Sequence, residues 1–180
     1  MGGTTKKILK NLPKISDIAE KYDIPSREEM SKALESRIGK VLAEKFAGAV
    51  VAVCGLGGLG SNIAISLARS GVGKLILVDF DRVDMGNLNR QQYKVSQLGM
   101  EKSTALFENL REIAPYVEIE AHCAKLDEAN FSSILSSAQV ICEAFDVPKD
   151  KSKLANFVLE NLRDKVLISS SGMAGIDSAN

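Results

Sequence analysis

Val50-Val51-Ala52-Val53-Cys54-Gly55-Leu56-Gly57-Gly58-Leu59-Gly60 decides the fold of this 180-residue chain. The first five residues form an unbroken apolar, β-rich run, the pattern of a short strand buried on both faces and therefore of a parallel sheet. The next six fit G-x-G-x-x-G and lead into an amphipathic helical pattern over about 59–70. A helix entered this way has free N–H groups and a partial positive charge at its start, which together favour a phosphate. Gly55 permits the tight turn, Gly57 lets the backbone approach the phosphates, Gly60 lets helix and sheet pack, and Gly58 lies between them on the same turn. A glycine-rich turn that binds nothing is the bland alternative; the strand before it and the helix after it favour a nucleotide site.

Working outward, the two periodicities alternate. Strands are expected over 74–80, 117–124, 139–144 and 165–169, and helices over 102–113, 128–136 and 150–162. Each parallel crossover needs a helix to return the chain, so the fold class is α/β, a Rossmann-like doubly wound, mostly parallel sheet with helices on both faces. Upstream, Ser26-Arg27-Glu28-Glu29 reads as a capping box opening a helix that runs to about Phe46 and ends at Gly48. The organisation is then an N-terminal extension, 1–25, and a nucleotide-binding domain, 26–180, with a helical lead-in over 26–48. In the extension Pro13 and Pro25 bound weak helical patterns such as Ile15, Ile18, Ala19 and Tyr22. The sequence stops at Asn180, just after a glycine-containing loop and with no closing helix, which leaves room for a C-terminal truncation.

Bulk properties exclude several classes. Lysine plus arginine equal aspartate plus glutamate at 23 each, a balance that draws the chain to neither nucleic acid nor an anionic membrane. No apolar stretch reaches the roughly 18 residues needed to span a bilayer, and the N-terminus, with Lys6, Lys7, Lys10 and Lys14, lacks the apolar run of a secretory signal. A cytoplasmic protein is expected. Cys54, Cys123 and Cys142 fall on separate apolar segments without C-x-x-C spacing, so buried reduced thiols are expected, with no zinc site evident. His122 reads as a partly buried neutral side chain on a strand rather than as a catalytic base.

Asp79 ends the second strand, 19 residues beyond Gly60, where a carboxylate can accept hydrogen bonds from ribose hydroxyls. Loop and acid together suit NAD and ATP equally. The residues that follow separate the two: Asp79-Phe80-Asp81, then Asn87-Leu88-Asn89-Arg90-Gln91-Gln92, then Lys102. A dehydrogenase has no use for this set, whereas cleavage of ATP between its α and β phosphates builds up negative charge that arginine and lysine can offset. Asp146 follows the fourth strand, which in the usual order lies beside the first and faces the glycine turn across the switch-point crevice. A carboxylate beside a polyphosphate needs a cation between them, so Asp146 reads as a Mg2+ site. Its bland alternative is a cap for the helix that follows.

With these motifs in place, residues from about 36 to 180 resemble the ThiF/MoeB family, bacterial relatives of ubiquitin-activating enzymes that adenylate the C-terminal glycine carboxylate of a small ubiquitin-fold sulfur carrier. The resemblance implies an ATP- and Mg2+-dependent adenylyltransferase acting on a ThiS-like carrier in thiamine or related sulfur metabolism, working as a homodimer. It further implies that Asp79 holds the ribose, that Asn87, Arg90 and Lys102 bind the triphosphate beside Asp81, and that Asp146 holds magnesium, with Arg90, Lys102 and Asp146 as the catalytic group. Family dimers bring an N-terminal arginine to the neighbouring subunit's phosphates; Arg37 is the first candidate and Arg27 the second.

The chain departs from the family pattern in places. Glu143 stands where an aspartate is common, and Val147 where an asparagine follows the metal-binding aspartate, so the metal site is expected to be tuned differently. The paired C-x-x-C motifs and the later cysteine of many members are absent through Asn180, which leaves sulfur transfer unsupported. The competing readings are activation of another carboxylate, on a tRNA or a peptide, a non-catalytic subunit that binds nucleotide or carrier, and a NAD-dependent oxidoreductase.

Overall fold

A computed structural model of the protein describes residues 24–171. Most of the N-terminal extension, including the weak helical pattern from Ile15 to Tyr22, and residues 172–180 lie outside the described residues.

The elements follow in the order α1 (Arg27–Ile38), α2 (Lys40–Ala47), β1 (Val50–Cys54), α3 (Gly58–Arg69), β2 (Lys74–Asp79), α4 (Lys102–Ile113), β3 (Glu118–Cys123), α5 (Phe131–Leu135), β4 (Val140–Glu143), α6 (Pro148–Asn161) and β5 (Val166–Ser169). The five strands form one sheet in the order β3-β2-β1-β4-β5, and every pairing is parallel. This is the doubly wound α/β arrangement that the alternating pattern predicts, with β4 beside β1 as the reading of Asp146 requires.

Side chains leave a strand alternately to its two faces, and β1 supplies both cores. Val51 and Val53 join Leu75 and Leu77 of β2 beneath α3 and α4, against Ala64, Ala68, Ala105, Leu106 and Leu110. Ala52 and Cys54 join Ile76, Val78 and Ile141 on the opposite face, against Phe131, Leu135, Leu154 and Val158 of α5 and α6. The unbroken apolar run over 50–54 is thus the mark of a strand covered on both sides. By contrast β3 lies at the sheet edge, where Glu118 and Glu120 both reach Lys74 of β2, at 2.9 and 3.0 Å.

Two expectations are corrected. The lead-in helix is two helices, not one: Gly39 sits at φ 84° and ψ 149°, a backbone conformation open in practice only to glycine, and separates α1 from α2. Its start is as expected, with Ser26 and Glu29 closing a reciprocal capping box. Of the cysteines, Cys54 and Cys142 are buried but Cys123 is exposed, because it ends the edge strand. His122 is partly buried as expected, with Nε2 2.9 Å from Oε1 of Glu120. No helix among the described residues is long and apolar enough to cross a membrane.

Candidate functional site

The glycine turn lies at the C-terminal end of β1, between β2 and β4, the switch-point position at which doubly wound sheets bind ligands. Its glycines are required by close approach. Gly55 has φ 89°, and a Cβ there would lie 2.9 Å from the carbonyl oxygen of Ala144 in the loop after β4. A Cβ at Gly60 would overlap the carbonyl oxygen of Gly55 itself. Gly57 is different, since a Cβ there would meet nothing nearer than Gln91 Nε2 at 3.8 Å. Space is kept open above the turn there, and α3 starts at Gly58 with no side chain capping it.

Asp79 is buried at the end of β2, and its two oxygens hold two loops. Oδ2 accepts the Leu56 N–H at 2.7 Å and Oδ1 the Asp81 N–H at 2.7 Å. The carboxylate therefore braces the glycine turn, and its remaining lone pairs are what a ribose could use. Tyr93 adds a second brace, donating its hydroxyl to the Leu56 carbonyl at 2.7 Å. Burial, followed by the negative charges of Asp79 and Asp81, pushes the Tyr93 hydroxyl far above its ordinary range and keeps it a donor.

Residues 84–98 leave the sheet and return. Arg82 and Glu101 form an antiparallel bridge, Val83 N–H donates to Met100, and Lys102 N–H donates to Asp81. That closure brings Lys102, the first residue of α4, next to Asp81, with Nζ 3.0 Å from Oδ2. The lysine side chain is 7% exposed and the aspartate 50%, so a buried ammonium has its counter-charge at the crevice surface.

Within the excursion, Asn87 caps a short turn: its Oδ1 accepts the Asp84 N–H at 3.2 Å. Its carbonyl is thus committed, and the amide nitrogen, a pure donor, is the part suited to phosphate. Arg90 lies on the glycine turn, its Cγ and Cδ 3.4 and 3.5 Å from where a Cβ on Gly58 would be. Its Nη1 donates to the Gly86 carbonyl and to Asn89 Oδ1. Asn62 of α3 stitches the two parts together, donating to the Gly58 and Arg90 carbonyls and accepting from Gln92. Ser61 accepts the Gln92 N–H. Gln91 is buried beside Gly57, and its Oε1 has no partner. Sequence reasoning quoted Gln91 but gave it no role and missed Asn62, Ser61 and Tyr93, although two of these directly follow the last glycine of the motif.

Asp146 is exposed in the loop after β4. It does not cap α6: the capping residue is Val147, without a side-chain bond, and Pro148 opens the helix. The same loop touches the turn through Ala144 and Phe145 at Gly55. Glu143 is fully buried, and both its oxygens are taken, by Lys151, Ser169 and the Phe145 N–H. With both oxygens used within the chain, it is not available to a metal. Among the described residues no three His, Cys, Asp or Glu side chains cluster as a metal site. The exposed Asp146 carboxylate, one residue from the Phe145 that meets the turn, fits Mg2+ nonetheless, because that ion commonly takes one or two carboxylates and completes its shell with phosphates and water.

Arg37 is exposed in the last turn of α1. Arg27 is engaged within the chain, donating to the Tyr116 carbonyl at 3.1 Å and lying over the Tyr116 ring.

A parallel sheet with a glycine turn at its switch point, a buried acid ending β2, an arginine packed on the turn and a lysine paired with Asp81 defines a nucleotide-binding domain of the doubly wound class. Residues 30–179 match the ThiF family, and the chain belongs to it. Ubiquitin-like modifier-activating enzyme 5 of Caenorhabditis elegans is 44% identical over 79 residues, 44% of this chain and 19% of that protein. Adenylyltransferase and sulfurtransferase MOCS3 of Caenorhabditis briggsae is 37% identical over 97 residues, 53% of this chain and 24% of that protein. Among solved structures, E. coli tRNA N6-threonylcarbamoyladenosine dehydratase, TcdA, in complex with ATP superposes with a TM-score of 0.76 at 26% identity, covering 84% of this chain and 63% of that one. The chain thus spans about a fifth to a quarter of the two curated relatives and under two thirds of the solved one.

Proposed function

We propose that this chain is the ATP-binding core of an adenylyltransferase that activates the C-terminal glycine carboxylate of a ThiS-like ubiquitin-fold sulfur carrier, in thiamine or related sulfur metabolism. The observation that carries the reading is the placing of two cations: Arg90 packed on Gly58 of the turn, and Lys102 held against Asp81, two residues from the Asp79 that braces the turn. A redox site for a dinucleotide has no need of them. In the reaction, a carrier carboxylate oxygen forms a bond to the α phosphorus, the bond from that phosphorus to the β-phosphate bridge breaks, and pyrophosphate leaves. Substrate carboxylate and phosphate repel each other, so the residues must hold two anions together. Asp79 anchors the ribose. Asn87 Nδ2, Arg90 and Lys102 meet the phosphates, and the two cations count most where negative charge builds up on the phosphates in the transition state. Asp146 holds Mg2+, which supplies further charge neutralisation on the phosphates when bound.

The protein acts in the cytoplasm as a homodimer in this reading, with Arg37 the arginine offered to the partner's phosphates, since Arg27 is tied to Tyr116. Activation of a tRNA-borne carboxylate is the second reading, favoured by the likeness to TcdA and disfavoured by the even charge balance.

ATP–pyrophosphate exchange with Mg2+ and a ThiS-type carrier ending in Gly-Gly tests the proposal. Carrier-dependent exchange is expected, reduced on the order of 100- to 1000-fold by Arg90→Ala or Asp146→Ala. Binding of ATP without exchange for any carrier sinks the enzymatic reading in favour of a binding subunit, and binding of NAD in place of ATP returns the chain to the oxidoreductases.

A further inference from the structure

We infer that Glu143 and Lys151 form a buried latch that fixes the loop over 144–146 against the glycine turn and so positions Asp146 for the cation that accompanies ATP; the inference rests on the reading of Asp146 given above. The Glu143 side chain is wholly inaccessible and that of Lys151 is 14% exposed, an ion pair removed from water. Such a pair is retained at a cost unless its geometry satisfies the remaining donors and acceptors, and here it does. Lys151 Nζ donates to Glu143 Oε1 at 2.9 Å, to the Phe145 carbonyl at 2.9 Å and to Ser170 Oγ at 3.2 Å, which uses its three donors, and it lies 2.9 Å from Oε2. Glu143 in turn accepts the Phe145 N–H at 2.6 Å and the Ser169 hydroxyl at 2.6 Å.

Phe145 is therefore held at its N–H by the acid and at its carbonyl by the base. Two residues on, the Val147 carbonyl is fixed by the first turn of α6, accepting from Asp150 and Lys151. On the other side the Ala144 N–H donates to the Cys54 carbonyl, the last residue of β1, at 2.8 Å. Asp146 is left between two hydrogen-bonded residues, its own side chain exposed. A single carboxylate binds a cation well only when it is held where the phosphates arrive, and residues behind a ligand govern affinity for that reason. Glu143 and Lys151 are positioning residues, and they explain why a charged pair is kept where apolar side chains would pack.

The experiment compares ATP affinity with and without Mg2+, by calorimetry on the full chain, and melting temperature alongside. In the parent, Mg2+ is expected to tighten ATP, and Asp146→Asn to remove that gain. The neutral pair Glu143→Gln with Lys151→Met avoids stranding one buried charge; it is expected to lose about 10-fold of the Mg2+ gain while ATP alone binds as in the parent. Glu143→Asp, which keeps the charge and shortens its reach, is expected to lose the gain as well, and Lys151→Arg added to it to restore it. Variants that melt lower but keep the parent's full Mg2+ gain overturn the latch and leave it a packing feature. A parent with no Mg2+ gain, or one that Asp146→Asn leaves intact, overturns the reading of Asp146 and the latch with it, and shows this before any latch variant is made.

Discussion

A methyl group on Gly60 and a methyl group on Gly57 would act on different properties. At Gly60 it would overlap the Gly55 carbonyl, so Gly60→Ala is expected to destabilise the domain by about 1–3 kcal/mol in urea unfolding. At Gly57 it would meet only a side-chain amide at 3.8 Å. Gly57→Ala is thus expected to leave stability within about 0.5 kcal/mol and to weaken ATP, a contrast that calorimetry and unfolding read separately. Equal losses of stability at both positions would remove the argument that one glycine serves packing and the other the ligand. At this scale the sequence revealed residue types and spacings: the turn joins β1 to α3, Asp79 ends β2, Arg90 packs on Gly58 and Lys102 opens α4. It did not reveal which atoms are already spent. Asn87 gives its carbonyl to Asp84 in a local cap, while Asp79 braces Leu56 and Glu143 answers to Lys151 and Ser169, pairings that arise only when separate elements meet.

Between elements, the most legible were those covered on both sides. Strands β1 and β2 read as apolar runs because both faces are buried, and α4 occupies the residues expected of it. The single helix expected over the lead-in failed at Gly39, because an isolated glycine inside a helical pattern looks tolerable until its φ is known. Nothing lies within 4 Å of a Cβ at Gly39, so the whole effect of Gly39→Ala is backbone strain. That substitution is expected to cost about 1–3 kcal/mol, or else to convert the break into one continuous helix; circular dichroism separates the two, since only the second gains helix. Helix α1 buries none of its residues and is held by its capping box, by Arg27 on Tyr116 and by Leu34 over Gly71. Its amides are accordingly expected to exchange with solvent faster than those of α3 or α4, and equal protection would mean that something further covers it.

For the whole molecule, the charged edge sets a dependence on pH. Burial opposes ionisation of Glu120, but its bonds to Lys74 and His122 outweigh that and hold the carboxyl below its ordinary 4.5. Hydrogen bonds to Glu118 and Glu120 raise the Lys74 ammonium above its ordinary 10.5. A lowered carboxyl contributes stability that is present above pH 4.5 and is lost as pH falls through the folded value. A raised ammonium contributes below pH 10.5 and loses it as pH rises through the folded value. Melting temperatures of Glu120→Gln and the parent are expected to differ between these limits and to converge in acid; a constant offset into acid would show that the pair does not stabilise the edge. The strand order has a kinetic consequence too. While β2 follows β1 closely, the partner on the other flank of β1 comes from residues 89 positions along the chain. During synthesis β1 to β3 are complete while that flank is still an unpaired ladder, and parallel pairing over such a span is slow to form. Until β4 arrives, the central strand of the finished protein is the raw edge of a half-built one, the place where a nascent or refolding chain is most exposed to pairing with a neighbour. Refolding yield is therefore expected to fall steeply with protein concentration and to recover once β4 has docked.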